Sequence, residues 1–372
     1  MSEKVIIIGA GLYGCVLANR LANAGYHVDI YDKRPFIGGN CYDYDICGIK
    51  VHKYGPHIFH TSNKNVWSFM NSFDSFNHFV NSPLVEGADG KLYNMPFNMN
   101  TFSRIFHVNT PQEVIERISA ETSGMSKNNY SNLEDTAIST VGETIYRLLV
   151  KQYTKKQWGR NPKELPASII GRLPIRLSYD NNYFDDFYQG IPEHGYSKLF
   201  EVILANDKIH IHLGMSLEPD EILGSDDTPI FYTGSIDELF KYKYGKLEYR
   251  SLDFKTEIYH TSNYQGVAVI NNANDAEYTR TIEWFWFSNG VNEFKNTVVT
   301  REYPCEWKKG KIRFYPINTE DNKKKYRKYR KLLFEKHSNI YIGGRLGLYK
   351  YLDMDECVSM ALRQAGSFIQ YN

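Results

Sequence analysis

The chain has 372 residues, 42% of them hydrophobic and 23% charged, an ordinary balance for a globular protein of two or three domains. A formal net charge of +1 gives no electrostatic reason to expect nucleic acid as a partner, and the apolar stretch that opens at Val5 is broken by glycines and too short to span a membrane. Five scattered cysteines (Cys15, Cys41, Cys47, Cys305 and Cys357) have no metal-ligand spacing, and Met1-Ser2-Glu3-Lys4 leads straight into a strand; no metal is expected, and the location expected is the cytoplasm.

The run Val5-Ile6-Ile7-Ile8 reads as a buried parallel strand. Gly9, Gly11 and Gly14 follow as G-x-G-x-x-G, then a helical pattern through Ala18, Leu21 and Ala22. Gly9 permits the turn, Gly11 lets backbone approach a pyrophosphate at the helix N-terminus, and Gly14 allows close helix–strand packing. His27 to Asp32 is a second strand, and Asp32 lies roughly 20 residues past the glycines, where a carboxylate accepts from ribose hydroxyls. Residues 101–157 have helical character, with Asp135-Thr136-Ala137 opening a pattern through Ile138, Val141, Ile145, Leu148 and Leu149. Ile209–Leu213 and Pro229–Gly234 return to strands, and alternation between about 247 and 317 predicts an antiparallel sheet that includes Gly266–Ile270, Thr281–Trp286 and Thr297–Thr300. The basic run Lys323–Lys331 fits the solvated face of a helix better than a polyanion patch. Ile340-Tyr341-Ile342 is a last strand, before Asp353 and a helix through Val358, Ala361 and Leu362.

Two glycine pairs narrow the cofactor. Gly38-Gly39-Asn40, a few residues past Asp32, resembles the extended fingerprint of FAD-binding flavoproteins, where paired glycines remove Cβ atoms from backbone that touches the ligand. Gly343-Gly344-Arg345 looks like the second FAD motif. The expected fold is α/β: a discontinuous FAD-binding Rossmann-type domain (1–85, 205–245 and 332–372), a helical insertion (95–178) and an antiparallel-sheet substrate domain (179–204 and 246–331).

Several blocks, in order along nearly the whole chain, resemble UDP-galactopyranose mutases: His52–Thr61, Tyr153–Gly159, Leu165–Ser168, Asp180–Phe184, Tyr278–Arg280, Phe314–Ile317 and Gly344–Asp355. The resemblance implies contraction of a nucleotide sugar's pyranose ring to the furanose without net redox, in cell-surface polysaccharide biosynthesis. Reduced-flavin N5 would form an adduct with the anomeric carbon, and a homodimer is expected. It assigns Arg172 and Arg280 to a diphosphate clamp, which planar guanidinium groups suit. Tyr183, Tyr315 and Tyr351 would also reach the diphosphate. Tyr153 and Trp158 would lie near the nucleotide, and Asn182 beside the substrate. His57 and His60 match the loop beside the flavin, His60 being the better candidate for tuning N5 or O4. Arg345 and Asp353 match the flavin's pyrimidine edge.

Three departures bear on the substrate. Glu283-Trp284-Phe285-Trp286 stands where the family commonly has Glu-His-Lys, Gly171 stands where Lys is usual, and Gln152 replaces Gly. On a strand, Arg280, Ile282, Trp284 and Trp286 would share one face and make the pocket less polar. UDP-galactopyranose is the first expectation; dTDP-fucopyranose, a 6-deoxy sugar, and UDP-N-acetylgalactosamine are its rivals. An FAD oxidoreductase of amine-oxidase type, or a flavin protein without catalysis, would share the cofactor motifs but have no need of a diphosphate clamp.

Overall fold

A computed structural model describes residues 4–125, 132–172, 175–225, 227–288 and 295–371, without the side chains of Gly171 and Arg172. A five-stranded sheet, parallel throughout, runs Ile340–Ile342, Ile230–Tyr232, Lys4–Ile8, His27–Asp32, Ile209–Leu213. Ile7 lies between Phe231 and Ile30. Alternation sends Val5 and Ile7 to one face, where the helices Leu12–Asn23 and Met354–Tyr371 pack through Leu17, Leu21, Val358 and Ala361. Ile6 and Ile8 pack on the other face with Leu239, Tyr329 and Leu333. Burial on both faces is why the central strands Lys4–Ile8 and Ile230–Tyr232 read as apolar runs. The basic run lies on the helix Glu320–Lys336, with Lys324, Arg327, Lys328 and Lys331 exposed as expected.

A second, seven-stranded sheet runs Tyr315–Pro316, Tyr249–Tyr259, Thr297–Glu306, Arg280–Glu283, Val269–Asn272, Leu84–Glu86, Leu92–Asn94. It is antiparallel except where Leu84–Glu86 joins Val269–Asn272 in parallel. This corrects two expected boundaries. Leu84 and Val85 belong to this sheet rather than to the flavin unit. The helix Tyr196–Ile203 packs into the core of the parallel sheet through Leu199, Phe200 and Ile203, not with the substrate sheet.

Two expected strands also shift. Gly266 sits in a left-handed turn at φ +78°, because the buried Glu283 carboxylate accepts the backbone N–H groups of Tyr264 and Gln265 at 2.6 and 2.9 Å. The strand therefore begins at Val269. Its neighbour ends at Glu283, and Trp284–Phe287 is a 3-10 turn. Trp284, fully buried, packs with Ile282, Phe285, Phe287 and Val298 and donates its indole N–H to Thr300 Oγ1 at 2.7 Å.

The helical insertion comprises Met99–Phe106, Pro111–Thr122 and Leu133–Ile145, the last continued by a π turn, Tyr146–Val150, and the helix Lys151–Trp158. Asn132 caps the third helix through the Asp135 N–H at 2.9 Å, three residues before the expected opening at Asp135. Ile138, Val141, Ile145 and Leu149 are buried in one core. Gly142, at φ +82° and ψ 160°, kinks the third helix, and the π turn that follows lies just before Tyr153, a common position beside functional sites. No helix among the described residues is long and apolar enough to cross a membrane.

Candidate active site

The parallel strands end at a dinucleotide groove, as crossover topology dictates. Gly9 has φ +108°, and a Cβ there would lie 2.1 Å from Thr233 Oγ1; a Cβ on Gly14 would lie 1.9 Å from the Gly9 carbonyl oxygen. Gly11 differs: its Cβ would meet nothing nearer than Gly39 Cα at 3.9 Å. Open space thus lies over the N-terminus of Leu12–Asn23, which has no side-chain cap and no acid in its first turn. Its free N–H groups suit an anion.

Asp32 accepts the Ala10 N–H on Oδ2 and the Arg34 N–H on Oδ1, both at 2.9 Å. Each oxygen keeps a lone pair for a ribose hydroxyl. Arg34 donates from Nη2 to Asn40 Oδ1 at 2.9 Å, while its buried Nη1 has no hydrogen-bond partner. A buried, unpartnered guanidinium nitrogen beside an open helix N-terminus fits the pyrophosphate of FAD. The glycine pair serves protein contacts first. A Cβ on Gly38 would lie 2.7 Å from the Phe200 ring, and one on Gly39 would lie 2.8 Å from Gly11 Cα.

Beyond Asn40 the groove opens into a cleft of about 1070 Å³ between the two sheets and the helical unit. Its cofactor end is lined by Asn40, His57, His60, Arg345 and Asp353. His57 Nδ1 lies 2.8 Å from the Gly55 carbonyl, which can only accept, so Nδ1 carries the proton. The His57 N–H donates to His52 Nδ1 at 3.0 Å. Burial pushes both imidazoles down to about 3, so both stay neutral at physiological pH. His60 Nδ1 bonds Asp186 Oδ2 at 2.7 Å, and its ring stacks on Phe184 with centroids 3.7 Å apart. Arg345 lies 4.4 Å over the Tyr351 ring and donates from Nε to the Leu352 carbonyl at 2.6 Å. It has no ion-pair partner among the described residues.

The substrate end brings together Arg280, Tyr153, Trp158, Tyr183, Tyr315 and Tyr351. Arg280 donates from Nε to Asn271 Oδ1 at 3.1 Å, and its Nη1 lies 3.4 Å from Glu302 Oε2. Tyr153 Oη lies 3.5 Å from Arg280 Nη2. Tyr315 stacks on Tyr351 with centroids 5.7 Å apart. Burial raises the phenols of Tyr153, Tyr183 and Tyr315, Tyr183 to about 12. These three are therefore hydroxyl donors at neutral pH, and with Arg280 they suit a diphosphate.

Two expected residues stand apart. Asn182 does not line the cleft; its Oδ1 accepts from Gln189 Nε2 at 2.9 Å and the Phe184 N–H at 3.3 Å, holding the Tyr183-Phe184 turn. The Arg172 side chain lies outside the described residues. Nor do Trp284, Phe285 and Trp286 line the cleft. They belong to the core behind His52, so this run does not make the pocket less polar.

Sequence reading missed Asn81, Asn271, Glu302, Asp186 and Arg34. Asn81 is 7% exposed, lines the cleft, and has an Oδ1 without a hydrogen-bond partner, an acceptor free for a sugar hydroxyl. Arg34, beside Asp32, could have been weighed as an anion ligand. The others carry no local sequence signal.

Comparison with known proteins gives the family. A family model described as UDP-galactopyranose mutase matches residues 148–351, and an NAD(P)-binding Rossmann-like domain matches residues 7–73. The dTDP-fucopyranose mutase of Escherichia coli is 37% identical over 377 residues, covering 100% of this chain and 99% of that protein. The probable UDP-galactopyranose mutase of Klebsiella pneumoniae is 37% identical over 371 residues, covering 99% and 95%. The crystal structure of a reduced UDP-galactopyranose mutase, at 16% identity, superposes with a TM-score of 0.77 over 100% of this chain and 96% of that one, which shows the same fold. Aligned from end to end with such relatives, the chain belongs to the UDP-galactopyranose mutase family, FAD-dependent enzymes that isomerise nucleotide sugars.

Proposed function

We propose that the cleft contracts UDP-galactopyranose to UDP-galactofuranose with FAD in its reduced form. One observation carries this reading: Arg280 and the phenols of Tyr153, Tyr183 and Tyr315 converge in a cleft that continues to His57, Arg345 and Asp353. A cavity of about 1070 Å³ is at the upper end for one small ligand and has room for a flavin ring and a nucleotide sugar. The working unit would be a homodimer in the cytoplasm. The parallel-sheet unit would hold FAD; the helical and seven-stranded units would form the substrate walls.

Bound reduced FAD supplies a nucleophilic nitrogen for the anomeric carbon. Arg280 holds the diphosphate and stabilises the charge that develops as it leaves. Tyr153, Tyr183 and Tyr315 donate to the phosphate oxygens, joined by Tyr351. Trp158, half-buried at the end of its helix, offers a flat face to the base. His60, oriented through Nδ1 by Asp186, has Nε2 left to hold or move a proton. His57, its Nδ1–H fixed on Gly55, presents an acceptor at Nε2. Arg172 would join the clamp on the family resemblance alone.

Equal identity to relatives named for two substrates makes dTDP-fucopyranose the second reading. Product analysis with UDP-galactopyranose, UDP-N-acetylgalactosamine and dTDP-fucopyranose side by side tests the choice. The highest kcat/KM is expected with the first. Preference for dTDP-fucopyranose would overturn the substrate and keep the chemistry.

A further inference from the structure

We infer that Lys156 is a positioning residue, a tethered cation that holds the two walls of the substrate cleft in register. Its helix, Lys151–Trp158, carries Tyr153 and Trp158. The facing wall is the pair of strands Val269–Asn272 and Arg280–Glu283, which carries Asn271 and Arg280. Across the cleft, Tyr153 Oη and Arg280 Nη2 are 3.5 Å apart, too far for a firm bond, so something else must set their spacing.

Lys156 Nζ reaches the loop that joins the two strands. It donates to Asn272 Oδ1 at 2.9 Å and to the carbonyls of Asn274, Ala276 and Tyr278 at 2.9, 2.8 and 3.0 Å. An ammonium has three protons and no lone pair, so four oxygens use its whole donor capacity. Three of them are main-chain carbonyls, so Lys156 fixes the course of the loop that leads into Arg280. Asn272 is itself oriented by its Nδ2 bond to Glu86 Oε2 at 3.2 Å. In the same C-terminal turn of the helix, Arg250 donates to the carbonyls of Gln157 and Lys156 at 2.9 and 3.3 Å, a second tie to the same sheet. Lys156 does not line the cleft, whereas Tyr153, Gln157 and Trp158 of its helix do, so the clasp acts on substrate binding through the walls without touching substrate.

The inference rests on the reading of the cleft as a nucleotide-sugar site, and the experiment separates the two. UDP binding to the FAD-bound full chain is measured by calorimetry for wild type and Lys156→Ala, with FAD content and melting temperature alongside. We expect full FAD content, UDP affinity at least tenfold weaker, and KM raised by a larger factor than kcat falls. Methylammonium ions, which can enter the vacated ring, should restore affinity, whereas sodium chloride at equal ionic strength should not. Affinity within twofold of wild type, or no specific rescue, overturns the inference. If Lys156→Ala fails to fold, Asn272→Ala takes its place. That variant keeps the ammonium and three acceptors, and should weaken UDP binding severalfold with FAD retained; an unchanged affinity overturns the inference. Failure of wild type to bind UDP would remove the underlying reading and the inference with it.

Discussion

Arg280→Ala should damage stability and turnover through separable causes. Glu302 beneath it is only 3% exposed, and Arg280 is 25% exposed. Removing one partner of a buried pair leaves a charge uncompensated, at about 3–5 kcal/mol. The 3.4 Å separation and the partial exposure of the arginine place this pair at the low end, about 3 kcal/mol. Burial already raises the Glu302 carboxyl and Arg280 holds it down; without Arg280 it rises further. A carboxyl with a raised folded-state pKa is destabilising above that pKa and is relieved as pH falls, so the deficit should shrink between pH 8 and pH 5. Arg280→Ala combined with Glu302→Gln removes the orphaned charge and should recover at least about 2 kcal/mol. Turnover should stay down at least tenfold, or about 1.4 kcal/mol, in both variants. Chemical denaturation at saturating FAD, with activity measured on the same samples, reads both quantities. A single variant within 1 kcal/mol of wild type (about fivefold in the equilibrium), or a double variant no more stable than the single, would refute the reasoning.

Gly11→Val should fold normally yet lose FAD, because its Cβ enters open space at the helix N-terminus, where the pyrophosphate would sit; stoichiometric flavin absorbance in a folded variant would count against the groove. Gly14→Ala, whose Cβ would meet the Gly9 carbonyl at 1.9 Å, should instead lose helix content by circular dichroism. His52 has its pKa lowered from 6.5 to about 3 by burial, so the unfolded chain takes up a proton below pH 6.5 that the folded chain refuses. By pH 5 this removes about 2 kcal/mol of stability. His52→Asn, which keeps an acceptor for the His57 N–H, should lose about 2 kcal/mol less between pH 7.5 and 5; an unchanged slope in denaturation would contradict this. UDP at a hundredfold excess over its dissociation constant should stabilise the protein by about 2.7 kcal/mol, and an unmoved transition would exclude the clamp.

The cofactor groove was legible because its signals are local. A strand, a glycine turn, a helix and an acid follow one another within 32 residues, and each has its own backbone reason. Arg280 and the tyrosines were reachable through motif order, since they come from segments far apart in the chain. Glu302, Asp186 and Asn81 were not, because each takes its meaning from a partner or a cavity that only tertiary packing supplies. Trp284-Phe285-Trp286 misled for a related reason. Alternation predicts which side a residue faces only while the strand continues, and this one stops at Glu283, whose carboxylate is tied to the turn at Tyr264 and Gln265. The basic run Lys323–Lys331 was likewise legible as the solvated face of a helix, which spans Glu320–Lys336, but nothing local could reveal that Leu84–Glu86 crosses to the second sheet.

A reduced flavin beside this clamp is expected to isomerise a nucleotide sugar without being consumed. The most direct measurement compares anaerobic turnover of UDP-galactopyranose by the dithionite-reduced and oxidised FAD-bound protein, with products separated by chromatography and the flavin spectrum followed throughout. Furanose product is expected over many turnovers from the reduced protein alone, with the flavin spectrum unchanged at the end. Flavin oxidation in step with substrate reduction, or equal turnover by the oxidised protein, would contradict it.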